Sequence, residues 1–559
     1  MVDTIPEKQP DKRLYSLLWA GIGALFFLPF LGRVHLFDWD EINFAEMSRE
    51  MMLSRDYLRL YINYLPFWEK PPLFIWMQVL SMKAFGMNEF AARFPNALLG
   101  SLALPLLYRM GRQLWHHRFG MLWAGAYLAG VLPHLYFRSG IIDPWFNLFI
   151  FIGLYFFIRY VWCREQWTIP GKWSAAIPHL LISGAAIGLA MLTKGPVALL
   201  LLGLTAGVYW AYRRFAMFFK PIHLLWWMLA VLAVAFSWYG VEYLVNGGWF
   251  LSEFTRYQIR LLTTPDAGHK GFFGFHVVVL LIGCFPASIF AVRALRPSGK
   301  EQPAHQEDFR VWMVILLAVV VVVFSLVRSK IVHYSSLAYY PLTFLAAWTL
   351  EQILSGKWPL KRAYVAGLWS VGSLYIILTL LLPIAGRNPE WLQPLFAKDP
   401  FALANLEANV HWSGWETLCG TWLALVLGVT TWLIQQQRLW DAVRVLGLGT
   451  ALFVTFTLWA FIGRIEQYSQ GAAIEFYKEK SREDCYIHTY QYKSYAHLYY
   501  AAKAPVTNPN SNDLDYLLKG PKLKPVYIVA RINKLGDLEK RKNLRELYRK
   551  NGFVFFERK

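Results

Sequence analysis

Long runs of apolar residues recur along most of this 559-residue chain. A helix needs ~20 predominantly apolar residues to cross the hydrocarbon core of a bilayer. About thirteen runs fit that ruler, beginning near residues 14, 95, 119, 144, 175, 197, 222, 276, 311, 334, 363, 414 and 441. The sequence therefore predicts an α-helical polytopic membrane protein. Composition agrees, since 56% hydrophobic, 17% aromatic and 16% charged residues are not a soluble enzyme's balance. The formal charge of +20 reports orientation first and does not call for nucleic acid. Cys163, Cys284, Cys419 and Cys485 are widely spaced and give neither a metal spacing nor a disulfide framework. The first apolar run has no small-residue cleavage site and reads as a retained span.

Lys and Arg orient the spans. Lys12 and Arg13, Arg109 to Arg118, Arg164 and Lys172, Arg213 to Lys220, Arg293 to Lys300, Lys357 to Arg362, and Arg438 with Arg444 fall at alternate connections. The positive-inside rule makes that side cytoplasmic, together with the N-terminus, and an odd number of spans puts the tail outside. The opposite side gathers the unusual polar segments. They are the loop from about Val34 to Phe94, "RSGIIDPW", "TKGP", the loop from about Val241 to Phe275, "VRSKIVHY", and the loop around Arg387–His411.

Two segments outside the spans are structured. "NFAEMSREMMLSR" and "PPLFIWMQVLSMKAFG" in the first outer loop carry helical spacing and are expected to lie in the membrane interface. From about Arg464 the chain becomes polar and basic, with helix-like and strand-like pieces. The division expected is a transmembrane catalytic region, residues 1–463, and a small C-terminal α/β periplasmic domain, residues 464–559. Glycines in "GIGALFF" and "SGAAIGLA" suit close helix packing. No Walker or Rossmann glycine motif points to a nucleotide.

The outer face holds carboxylates and cations together. Asp38, Asp40 and Glu41 follow the first span, Glu69 and Lys70 sit in "FWEKPPLFIW", and Asp143 precedes Pro144. Asp143 is placed equally well to cap the next helix or to act in a reaction. Lys194, Arg256, Arg260, Arg328 and Lys330 add positive charge on the same face. A lipid-linked phosphate would use such cations, although anionic headgroups would attract them too.

The ordered set "DWDEINFAEMSREM", "FWEKPPLFIW", "GIIDPWF", "MLTKGPVAL" and "FSLVRSKIVHYSS" resembles the polyprenyl-phosphate-dependent glycosyltransferases of the GT-C fold. Among these it is most similar to the lipid A 4-amino-4-deoxy-L-arabinosyltransferase family. The resemblance covers most of the chain to about residue 350. It departs from the family in offering Asp38 besides the Asp40–Glu41 pair and in lacking a proline in "RSKIVHY". It implies a GT-C-like membrane region with catalytic Asp40, Glu41 and Asp143. It implies donor-phosphate binding by Lys70, Lys330, Tyr334 and either Arg256 or Arg260. The reaction implied is an inverting transfer of 4-amino-4-deoxy-L-arabinose from undecaprenyl phosphate to a phosphate of lipid A or lipopolysaccharide. It would take place at the periplasmic face of the inner membrane and blunt cationic peptides such as polymyxin.

A phosphate acceptor with a second pKa near ~6 is already a nucleophile at neutral pH. Asp40 is then expected to orient the donor or stabilise positive charge rather than remove a proton. No cofactor is required. A divalent ion (Zn, or Mg or Mn) has Glu69, His269 and His276 as candidate ligands, with no spacing that fixes them together. Two other readings remain: a GT-C transferase moving another polyprenyl-phosphate-linked sugar to a protein or glycan, and a lipid-linked sugar flippase. Flippases place polar residues at the midplane, often in repeated halves, and neither feature is found here.

Overall fold

Side-chain caps and prolines set where the first helices begin. Asp11 accepts the Arg13 N–H at 2.8 Å and opens α1 (Lys12–Phe27). Helix α2 (Asp40–Ser54) and the short hairpin β1 (Tyr61–Ile62) and β2 (Leu65–Pro66) follow. Pro72 precedes α3 (Leu73–Phe85), and Asn88 caps α4 (Glu89–Leu114) by accepting the Ala91 N–H at 2.9 Å. These elements belong to a computed structural model that describes residues 11–167, 176–263, 271–297, 303–505 and 509–559.

Every expected span start falls on or beside a helix, but fewer of these helices are full-length. Among the described residues eight helices are long and apolar enough to cross a membrane, or nine if the pair Phe275–Gly283 and Ala287–Ala294, bent by 119°, is one span. The remainder are short or broken. α1, Val197–Tyr212 and Tyr339–Leu354 have 16 residues each, and the run near 119 divides at Gly130 into His117–Ala129 and Val131–Phe137. Apolar side chains such as Leu17, Leu225, Leu244 and Leu381 stand exposed on the outside of the bundle, as a lipid-facing surface requires. The expected close packing is present. A Cβ on Gly23 would come 2.7 Å from Ser101 Cα, and one on Gly184 2.6 Å from the Trp227 carbonyl oxygen.

The tail folds into a four-stranded sheet ordered β3-β4-β6-β5, comprising β3 (Tyr486–Tyr490), β4 (Val526–Arg531), β5 (Leu544–Lys550) and β6 (Phe553–Arg558). β3 and β4 run parallel, and the other pairings are antiparallel. Its strands alternate between two buried faces. Val526, Ile528, Ala530, Val554 and Phe556 face Leu517 and Leu518. Tyr527, Val529, Phe553 and Phe555 face the helix Gly471–Glu479 and reach Leu36, Ile42 and Ala45 of the first outer loop. The last long helix runs Leu439–Ser469, past the boundary expected at residue 463.

That packing corrects one expectation. Every residue of α2 from Glu41 to Met51 is buried, so α2 is an internal wedge and not an interfacial helix. Its apolar side chains are covered by the sheet on one side and by α3 on the other. The covered position explains the Met, Ala and Phe content that reads as membrane-seeking in the sequence. α3 keeps Leu80 and Phe85 exposed.

Candidate active site

One buried ion pair ties the outer loops together. Arg93, an arginine within α4, holds the Glu41 carboxylate through two hydrogen bonds of 2.9 and 2.8 Å. Its remaining donors reach the carbonyls of Leu31, Val34 and His35 at 2.7–3.0 Å. Glu41 also accepts the Phe37 N–H at 2.9 Å and the Gly140 N–H at 2.6 Å. Burial alone would raise the pKa of Glu41, but Arg93 and these N–H donors hold it below the usual carboxylate value. Glu41, expected as a catalytic residue, is held instead in a buried network. Both of its oxygens are engaged, and its role is to fix the turn that begins α2 and the Gly140 turn leading to Asp143.

Asp143 opens the helix Asp143–Arg164, and Lys194 closes the helix Ala176–Lys194. The Lys194 ammonium donates to Asp143 Oδ1 at 2.6 Å, with both side chains largely buried. Asp143 Oδ2 is buried without a hydrogen-bond partner. His333 Nε2 lies 4.0 Å from that oxygen and 3.7 Å from Asp40 Oδ2. Both separations are too long for direct hydrogen bonds, yet they bring the two carboxylates to one imidazole edge. Burial lowers the His333 pKa, Asp143 and Asp40 oppose that shift, and the nearby Lys194 and Lys70 add to it. Neutral imidazole is therefore the form that faces the carboxylates.

Lys70 closes the other side. Its ammonium sits 5.3 Å from the Tyr257 ring centroid, and the Arg260 guanidinium stands 5.1 Å from the same ring. Tyr257 and Arg260 come from the helix Trp249–Thr263, which reaches the first outer loop beside Trp68 (Trp68–Trp249 ring centroids 5.6 Å). Of the two candidate arginines, Arg260, itself exposed, is the one that shares the Tyr257 ring with Lys70. Arg256 points outward, 73% exposed, in an ion pair of 2.7 Å with Glu253. Tyr334 lies in the group, its ring 5.2 Å from the Lys194 ammonium.

Lys330 departs from its expected place. Its buried ammonium donates to the carbonyls of Ser325 and Val327 at 2.6 Å and of Phe324 at 3.2 Å, capping the helix Ala304–Leu326. Burial lowers its pKa. The three carbonyls take up its donors, so its contribution is to hold the turn that presents His333 and Tyr334. As for a metal, His269 lies outside the described residues. Among the described residues no three His, Cys, Asp or Glu side chains come together to hold an ion, Glu69 and His276 included.

A second buried cluster sits deeper in α2. Arg49 grips Glu46 at 2.7 and 2.6 Å and donates to the Lys503 carbonyl at 2.9 Å, and Tyr64 donates to that same carbonyl at 2.7 Å. Glu50 accepts the Tyr64 N–H at 2.7 Å. Burial and the adjacent Glu46 push the Glu50 pKa up to about 9. This cluster joins α2, the hairpin and the tail.

Residues 69–239 match the family model described as dolichyl-phosphate-mannose-protein mannosyltransferase. The chain is 27% identical over 399 residues to an undecaprenyl phosphate-alpha-4-amino-4-deoxy-L-arabinose arabinosyl transferase of Pseudomonas aeruginosa, covering 70% of this chain and 68% of that one. The protein of the same name from Pectobacterium atrosepticum is 26% identical over 439 residues, 76% of this chain and 75% of its own. The fold is similar to the crystal structure of ArnT from Cupriavidus metallidurans bound to undecaprenyl phosphate, with a TM-score of 0.75 at 19% identity over 97% of this chain and 98% of that one.

Replacing Arg93 by Met should destabilise the protein by about 3–5 kcal/mol, because it strands the buried Glu41 charge; thermal unfolding in detergent would read this, and an unchanged midpoint would contradict it. Glu50 gives a pH signature. Its pKa is raised on folding, so its stabilising contribution is full below the unfolded value near 4.5 and falls as pH rises toward 9. The melting temperature of Glu50→Gln relative to wild type should therefore climb between pH 5 and pH 8. A difference that is flat with pH would contradict the assignment.

Proposed function

We propose that the chain is an integral-membrane glycosyltransferase that moves 4-amino-4-deoxy-L-arabinose from undecaprenyl phosphate to a phosphate of lipid A, with inversion, at the periplasmic face of the inner membrane. One observation carries the reading: Asp40 and Asp143 meet at His333, and Lys70, near enough to act on Asp143 and His333, shares the Tyr257 ring with Arg260. Carboxylates and cations gathered side by side fit a donor that carries both an amino sugar and a lipid phosphate. The similarity to the arabinosyl transferases supports the choice of sugar.

In this reaction the bond between the anomeric carbon and the donor phosphate oxygen breaks. A lipid A phosphate oxygen forms the new bond from the opposite face. The departing polyprenyl phosphate gains negative charge, which Lys70 and Arg260 offset by charge-assisted contacts, with Tyr334 as a hydroxyl donor. The acceptor phosphate is largely ionised at neutral pH and needs no base. Asp40 is then free to orient the sugar and stabilise positive charge at the anomeric carbon. The unpartnered Asp143 Oδ2 is the acceptor left for the sugar's ammonium, while Lys194 keeps the other oxygen in place. The product carries less net negative charge, which reduces attraction of polymyxin and related cationic peptides.

Lys70→Met should abolish donor use by the purified enzyme. Arg260→Ala should weaken undecaprenyl phosphate binding by about 10–100-fold, the loss of one or two charge-assisted contacts. Arg256→Ala, whose side chain is exposed and paired with Glu253, should leave donor binding unchanged. Near-normal turnover by Lys70→Met, or equal losses at both arginines, would contradict the assignment.

A further inference from the structure

The segment "TKGP" stands out in the sequence, and of its four residues the proposed transfer uses Lys194 alone. The glycine beside it meets a different part of the outer face. The Gly195 N–H ends the helix Ala176–Lys194 on the Met191 carbonyl at 2.9 Å. Its φ of +102° belongs to backbone that residues with a side chain rarely adopt. The space a side chain would need is also taken. A Cβ on Gly195 would come 2.5 Å from Cζ of Phe254 and 3.2 Å from its Cε1. The outer end of the Phe254 ring is therefore seated on the turn, and the side chain is only 4% exposed.

Phe254 belongs to the helix Trp249–Thr263, which carries Tyr257 and Arg260. Phe250, Phe254 and Tyr257 recur at helical spacing and form its buried face, while Leu251, Arg256, Ile259 and Arg260 are exposed. The two phenylalanines stack with ring centroids 5.5 Å apart. They share an apolar cluster with Leu192 and Trp238, and Trp68 and Leu73 pack against it. Leu192 lies two residues before Lys194, and Trp68 and Leu73 flank Lys70 on either side. The Trp238 Nε1–H donates to the Leu58 carbonyl at 2.8 Å and fastens the first outer loop to the same cluster. Tyr257, one turn beyond Phe254, is the ring that Lys70 and Arg260 share. One cluster thus holds the segments that carry Lys70, Lys194 and Arg260.

We propose that Phe254, seated on Gly195, is a positioning residue for donor binding: it sets where Tyr257 and Arg260 stand relative to Lys70, and so how the donor phosphate is gripped. This rests on the proposed transferase reading. The Lys194–Gly195 turn then serves the site twice. Its ammonium fixes Asp143, and its glycine seats the helix that brings Arg260. A ring withdrawn from Gly195 lets that helix shift and weakens a grip that depends on the geometry of charge-assisted contacts.

The test is a double-mutant cycle on the purified full chain, read by calorimetry with undecaprenyl phosphate. Phe254→Leu keeps an apolar side chain in the cluster but withdraws the ring from Gly195. Binding should weaken about tenfold, the loss of a well-placed charge-assisted contact, while the KM for lipid A stays at its wild-type value. Arg260→Ala should cost about 10–100-fold in the wild-type background. With Phe254 replaced it should cost no more than about threefold, because residues that act through one another are not additive. A role in stability alone would leave the two effects additive. Phe254→Met, whose flexible side chain also fills the cluster, takes the place of Phe254→Leu if that variant does not fold. Unchanged affinity in the Phe254 variant, or the full cost of Arg260→Ala in both backgrounds, overturns the inference and leaves the transferase reading standing. If Arg260→Ala alone leaves undecaprenyl phosphate binding unchanged, the donor site itself is misplaced and the inference falls with it.

Discussion

The Glu41–Arg93 pair is the constraint on which the rest of the outer face depends. A charge inside a membrane-embedded helix is tolerated only when it is fully paired. Arg93 meets that demand by binding one carboxylate and three backbone carbonyls. Through the Phe37 and Gly140 N–H groups the same carboxylate links the turn before α2 to the turn before Asp143. Asp40, the residue next to Glu41, and Asp143, three residues after Gly140, are thereby positioned by one interaction. A reaction that needs two carboxylates held against a single donor depends on that common anchor, since small displacements of reacting groups sharply reduce rate.

The tail extends the same logic away from the bilayer. Its sheet covers α2, its Lys503 carbonyl receives Arg49 and Tyr64, and its Tyr500 hydroxyl accepts the Leu36 N–H at 2.6 Å. The first outer loop is thus clamped between the bundle and the sheet. The loop that carries Asp40 and Lys70 is held from both sides.

Much of this was legible in the sequence because apolar period and length dictate helices, and because Lys and Arg sort the loops onto two sides. The segments around Asp40, Lys70, Asp143, Lys194 and Tyr334 do gather at one end of the bundle. Other features depended on contacts that spacing cannot show. Glu41 and Asp40 are adjacent carboxylates in the sequence, and only the position of Arg93 separates a structural residue from a candidate catalytic one. Arg93 itself, in "FAARFPNALL", carried a usable signal, since an arginine at the edge of an apolar run requires a partner. His333 stood within a quoted motif, but a histidine's neighbours come from other helices. Lys330 and Lys194 look equivalent in sequence, and a long flexible amine reaches either a carboxylate or the end of its own helix. The burial of α2 was hidden because a Met- and Phe-rich amphipathic helix reads the same whether lipid or a protein sheet covers it.

The most direct measurement is mass spectrometry of lipid A from cells lacking the gene and complemented with wild type or with Asp40→Asn, with the aminoarabinosyl donor lipid present. The account predicts one added aminoarabinose mass with wild type and none with Asp40→Asn expressed at equal level. Unmodified lipid A in cells expressing the wild type would contradict it, and would turn attention to another acceptor or to lipid-linked sugar transport.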